Sequence, residues 1–168
     1  MRTKTPIFVS ALLLLGIPTL LLAKGETVRI TIKGDDLAAP IEVTDPLVVQ
    51  KFGVWTGPGT SSNQSQGLIV DWSRGFAKRP SAKFRVYTVS FYVNDRRERL
   101  AYVVLYACEP STNDGFVYVP GQGDPSYSLN VASVVRGVEG QWFHAWSAWD
   151  SLAQPLLEAA GRKRAPGP

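Results

Sequence analysis

Residues that commonly carry chemistry are scarce in this chain: it holds one cysteine, Cys108, and one histidine, His144. A single cysteine excludes an internal disulfide. One Cys and one His together exclude the ligand sets that hold structural zinc. Asp35, Asp36, Asp114 and Asp124 lie in turns, but without the spacing of a calcium loop. Neither a metal nor a cofactor is expected. No Gly-x-Ser-x-Gly elbow is present, and a Ser-His-Asp triad would have to use His144 with no Ser in a recognisable nucleophile setting. Gly121-Gln122-Gly123 has the look of a phosphate loop. Asp124-Pro125 follows it, however, and the next element reads as a strand, so a wide turn is expected.

A basic surface is also missing. The formal charge is +4, but five of the 18 cations lie at the ends, as Arg2, Lys4, Arg162, Lys163 and Arg164, leaving 13 against 14 acidic residues. A nearly neutral folded part argues against a nucleic-acid binder, which wants Lys and Arg clustered on one surface.

What is present begins with an address. Arg2 and Lys4 precede an apolar run from Ile7 to Ala23, and polar sequence starts at Lys24. This is the plan of a secretory signal, with cleavage expected after Ala23. Leu21 departs from the small residue preferred near the cut, and the run is at the lower edge for spanning a bilayer, so an uncleaved membrane anchor is the alternative. The expected location is outside the cytoplasm, periplasmic or secreted. Residues 24–161 then form one exported domain, with 162–168 as a disordered basic tail. Asn63-Gln64-Ser65 is a glycosylation sequon in an exposed loop.

The domain reads as α+β, a mainly antiparallel meander of about seven or eight strands with two helices. Thr27–Lys33 alternates, with Val28, Ile30 and Ile32 on one side. Pro40–Thr44 is a short strand, and Asp45-Pro46 starts a short helix as N-cap and first helical residue. Gly67–Trp72 is a short strand between polar loops. Phe84–Val93 and Leu100–Cys108 form a hairpin, the second strand apolar on both faces. Phe116–Val119, Tyr127–Arg136 and Gln141–Ala145 complete the sheet. Cys108 is read as a small core residue, or alternatively as a thiol partnered by His144.

A C-terminal helix is predicted from Ser147. Ser147 and Asp150 fit a capping box. Trp149, Leu152, Ala153, Leu156, Leu157 and Ala160 make one apolar stripe. Pro155 lies on the other face, where it kinks or restarts the helix, and Gly161 ends it.

The candidate site is aromatic. In Gln141–Trp146 a strand places Trp142, His144 and Trp146 on one face, so the lone imidazole stands between two indoles. Flat rings stack on sugars and on aromatic or cationic ligands. Trp55 and Trp72 sit beside glycine-rich and polar loops that suit a ligand cleft, and Arg74 is a candidate anion contact. The same rings equally suit sealing the sheet under the helix. Three functions follow. The first is a non-enzymatic exported domain binding a small molecule, glycan or protein through Trp55, Trp72, Arg74, Trp142, His144 and Trp146. The second is a small exported hydrolase using His144. The third is a structural component of the cell envelope, held through the tail or a sheet edge.

Overall fold

A computed structural model describes residues 25–62, 64–109, 112 and 114–164. The expected signal with its cleavage after Ala23, the sequon residue Asn63 and the last tail residues lie outside the described residues. Among those described, no helix is long and apolar enough to cross a membrane.

The fold is α+β, built on an open antiparallel sheet of seven strands. The strands are β1 (Glu26–Lys33), β2 (Ile41–Val43), β5 (Phe76–Ala77), β6 (Arg85–Asn94), β7 (Glu98–Cys108), β8 (Phe116–Tyr118) and β9 (Trp142–His144), in spatial order β2-β1-β6-β7-β8-β9-β5. A separate two-stranded ribbon pairs β3 (Gln66–Gly67) with β4 (Val70–Asp71). The helices are α1 (Pro46–Lys51), α2 (Tyr127–Ser133) and α3 (Ser147–Arg164).

Alternation decides which side chains enter the core. Tyr87, Val89, Phe91 and Val93 of β6 are buried, as their period of two requires. Their register partners Tyr106, Val104 and Tyr102 of β7 share that face, as do Val117 and Phe143 farther along. This inner face is covered by α1, by the ribbon and by α3, whose Trp149, Ala153 and Leu157 form the expected stripe. Each large side chain fully removed from water contributes roughly 1.5–3 kcal/mol. Asp45 caps α1 as expected, its carboxylate accepting from Leu47 N–H at 2.9 Å with Pro46 in the first turn.

Four local expectations are corrected. Residues 127–136 hold helix α2 in place of a strand. Strand β8 stops opposite Leu105, so the Val103 peptide groups on that side have no strand partner. Asn130 fills the gap: its amide oxygen accepts from Val103 N–H at 2.8 Å and its NH2 donates to Val103 C=O at 2.7 Å. Burial of Asn130 is therefore fully compensated.

Residues 67–72 form a tight hairpin followed by a 3-10 turn at Trp72–Arg74. The reversal puts Leu68 at φ 59, a conformation that disfavours a side chain, and complete burial of the leucine offsets that cost.

Asp150 does not close a capping box. Its carboxylate turns into the core, accepting from Tyr106 hydroxyl at 2.6 Å and from Gly115 N–H at 3.2 Å. It thereby ties α3 to β7 and to the turn before β8. Finally, α3 runs through Pro155, which stays on the exposed side, and past Gly161 to Arg164.

Candidate functional site

The outer face of the sheet is the less covered one, and its aromatic side chains are concentrated at the β7–β8–β9 end. Because Val117 and Phe143 point inward, their neighbours Tyr118 and Trp142 must point outward. Register sets Leu105, Tyr118 and Trp142 in one cross-strand row. The Tyr118 and Trp142 rings lie 5.2 Å apart, tilted by 36°.

Two adjoining hollows open over this row, of about 320 Å³ and 410 Å³, both lined by Arg79, Leu105 and Trp142. The first is walled by the connector that leads from β5 to β6, including Pro80 and Phe84. The second is bounded by Tyr118, Asp124 and Gly140. Together they form a groove with an aromatic and aliphatic floor and a few polar groups at its rim, the usual make-up of a small-molecule site.

The rim is held by short-range contacts. Asp124 Oδ2 accepts from Tyr118 hydroxyl at 2.8 Å and from Gly121 N–H at 2.7 Å. Burial and the neighbouring Asp124 carboxylate raise the Tyr118 phenol above its ordinary value, so it stays a neutral donor. Gly121 is needed for close approach: a Cβ there would stand 2.7 Å from Cα of Gly140. The Gly-Gln-Gly segment is thus a contact between two loops at the groove's end.

His144 lies on the same outer face, beside Phe116 at 5.2 Å. Its pKa is lowered by burial first and by the Arg74 cation second, against Asp114 and Asp71. Its Nδ1 is buried with no hydrogen-bond partner among the described residues. An imidazole used as a base is ordinarily oriented by a hydrogen bond at its second nitrogen. Cys108 does not approach it. The thiol faces inward beside Gln154 and Leu157 of α3, whereas its chain neighbour Ala107 shares the outer face with Phe116 and His144. Burial pushes the Cys108 thiol up to about 11, and it serves as a core residue. Among the described residues, no group of three or more His, Cys, Asp or Glu side chains is placed to hold a metal ion.

The six candidate residues separate into different places. Trp142 and His144 share the outer side of β9, and Arg74, 4.0 Å from Asp114, is close enough to His144 to lower its pKa. Trp146 is not with them, because the chain leaves the sheet after His144. Trp146 N–H donates to Ile69 C=O at 2.9 Å, and the indole packs edge-on to Phe52 in the inner layer, 5.4 Å away. Trp72 packs on Phe143 at 5.0 Å, also inside. Trp55 ties the loop after α1 to the start of β1, its Nε1 donating to Gly25 C=O at 2.6 Å.

Arg136 is the partner of Trp72 that sequence reading missed. It is 4 % exposed, and its guanidinium lies 5.6 Å from the Trp72 ring and 4.8 Å from that of Tyr102. It donates to the carbonyls of Val54 at 2.6 Å, Thr56 at 2.8 Å and Pro58 at 3.2 Å, and to Tyr102 hydroxyl at 3.1 Å. The loop bearing Trp55 is thereby clamped to the sheet by a buried cation whose hydrogen bonds are satisfied.

Compared with family models, curated proteins and solved structures, the chain matches none. Its site is therefore defined by geometry. Tyr118, Arg79, Asp124 and Leu105 belong to the groove and were not among the candidates. Two signals pointed to them: the outward phase of Tyr118 beside inward Val117, and a run from Trp72 to Phe84 with Arg74, Lys78, Arg79 and Lys83 but no acid.

Proposed function

We propose that this chain is an exported binding domain whose groove, floored by Trp142 and Tyr118, takes a saccharide or another small molecule with a flat apolar face. The observation that carries this reading is the aromatic pair itself. Two large rings stand side by side on an outer sheet face, beneath an open groove. Aromatic rings offer apolar faces to C–H-rich or aromatic ligands while a few polar groups fix orientation. Arg79 and Asp124 supply those polar groups. The apolar run before Ala23, with its basic start, supports export.

The test is titration of the protein with a panel of neutral and acidic oligosaccharides and common metabolites, followed by tryptophan indole NMR signals. Binding should shift the Trp142 indole resonance, and Trp142→Ala should weaken affinity at least tenfold, about 1.4 kcal/mol, while the variant still unfolds in one cooperative transition. A ligand that binds Trp142→Ala as tightly as the wild type would remove the groove from consideration.

A further inference from the structure

We infer that the groove is built for an acidic saccharide, with a sugar ring stacked on Trp142 and its carboxylate held by Arg79. This rests on the groove being the binding site.

The charge distribution around the groove favours an anion. The segment from Trp72 to Phe84 carries four cations and no acid. Two of the four are engaged: Lys83 pairs with Glu109 at 2.9 Å, and Arg74 approaches Asp114 at 4.0 Å. Lys78 and Arg79 have no ion-pair partner among the described residues. Arg79 lines both hollows beside Trp142, so rings bound in either would flank the same guanidinium. A planar fork of N–H donors matches a carboxylate in a bidentate way that a neutral hydroxyl cannot reproduce. A neutral ligand covering Arg79 would cost the cation part of its hydration without return.

Among the described residues, Asp124 is the one carboxylate that lines these hollows, and it faces its own hydrogen-bond donors. Asp124 Oδ2 already accepts two hydrogen bonds, which disperse its charge. Its Oδ1 has no partner among the described residues and is available to accept from a sugar hydroxyl. An aromatic floor, one guanidinium without an ion-pair partner among the described residues and a single acceptor together suit a uronic-acid type of ligand. A nucleic acid would require a wider field of cations than the two free ones here.

The experiment compares short oligomers of galacturonate, mannuronate and glucuronate with their methyl esters, which keep the rings and lose the charge, by calorimetry at low ionic strength. The wild type should bind at least one acid oligomer, tenfold or more tighter than its ester. Arg79→Gln should bring acid and ester to equal affinity, whereas Trp142→Ala should weaken both and keep the preference for the acid. Each variant should still unfold in one cooperative transition, Trp142→Ala at a melting temperature lower by only a few degrees. Equal affinity for acid and ester, or a preference that survives Arg79→Gln, would overturn the acidic-ligand inference and leave the groove reading standing. Binding of none of these saccharides would overturn the inference. Binding of no member of the broader panel would overturn the groove reading with it.

Discussion

Trp142 and Trp146 are four residues apart and face opposite sides of the sheet. Trp142 lines the outer groove, and Trp146 packs on Phe52 in the inner layer. The crossover is made where Ala145 bridges Val70 and Trp146 bonds Ile69. The two indoles should therefore fail differently. Trp146→Ala should destabilise the domain by about 2–4 kcal/mol through lost packing, whereas Trp142→Ala should cost about 1 kcal/mol. Urea unfolding of both variants checks this, and equal losses would contradict the assignment of faces.

Asn130 replaces a strand. Its amide makes both of the hydrogen bonds that Val103 would otherwise exchange with a neighbour. Asn130→Ala should leave two buried backbone groups unpaired, at roughly 1–3 kcal/mol for each. Amide exchange should report it directly, with protection of Val103 N–H falling more than that of its neighbours in β7.

Arg136 clamps the loop after α1 through three carbonyls. Arg136→Met keeps much of the aliphatic volume and removes every donor. Loss of about 3 kcal/mol or more is expected, since several buried acceptors are orphaned together. Faster proteolysis between Val54 and Thr60 should accompany it. A variant as stable as the wild type would mean that the clamp contributes nothing net.

Asp150 should make stability depend on pH. Burial raises its carboxyl above the ordinary range, outweighing the hydrogen bonds from Tyr106 and Gly115. In the unfolded chain the group ionises near about 3.9. Between that pH and the higher folded value, the unfolded state has released a proton that the folded state keeps. Stability therefore falls as pH rises through this window. The stability of wild type relative to Asp150→Asn should decline from about pH 4 upward and then level off. A difference that does not change with pH would exclude the effect.

Much of the scaffold was legible in the chain. The period of two in residues 85–93 marked the inward face of β6, because one side of a half-covered sheet must be apolar. Asp45-Pro46 marked the start of α1 through backbone donors that only a local side chain can reach. Helix α2 was not legible. Tyr127, Leu129 and Val131 alternate as a strand would, and what overrides them is a distant vacancy beside Val103. Asp150 misled for the same reason: its local geometry suited a cap, but Tyr106 and Gly115 offered buried partners.

For the site, sequence alone settled that the chain has a single histidine and a single cysteine, and that tryptophan dominated the candidates. Local periodicity carries such information because it acts between neighbours. Which rings share a face was decided only in three dimensions. Strand pairing brings Leu105, Tyr118 and Trp142 into one row, a connector lays Arg79 beside them, and the exit of the chain after His144 carries Trp146 to the other side. Those placements depend on contacts between segments distant in sequence, such as Tyr118 with Trp142 and Trp146 with Ile69, which local periodicity does not report.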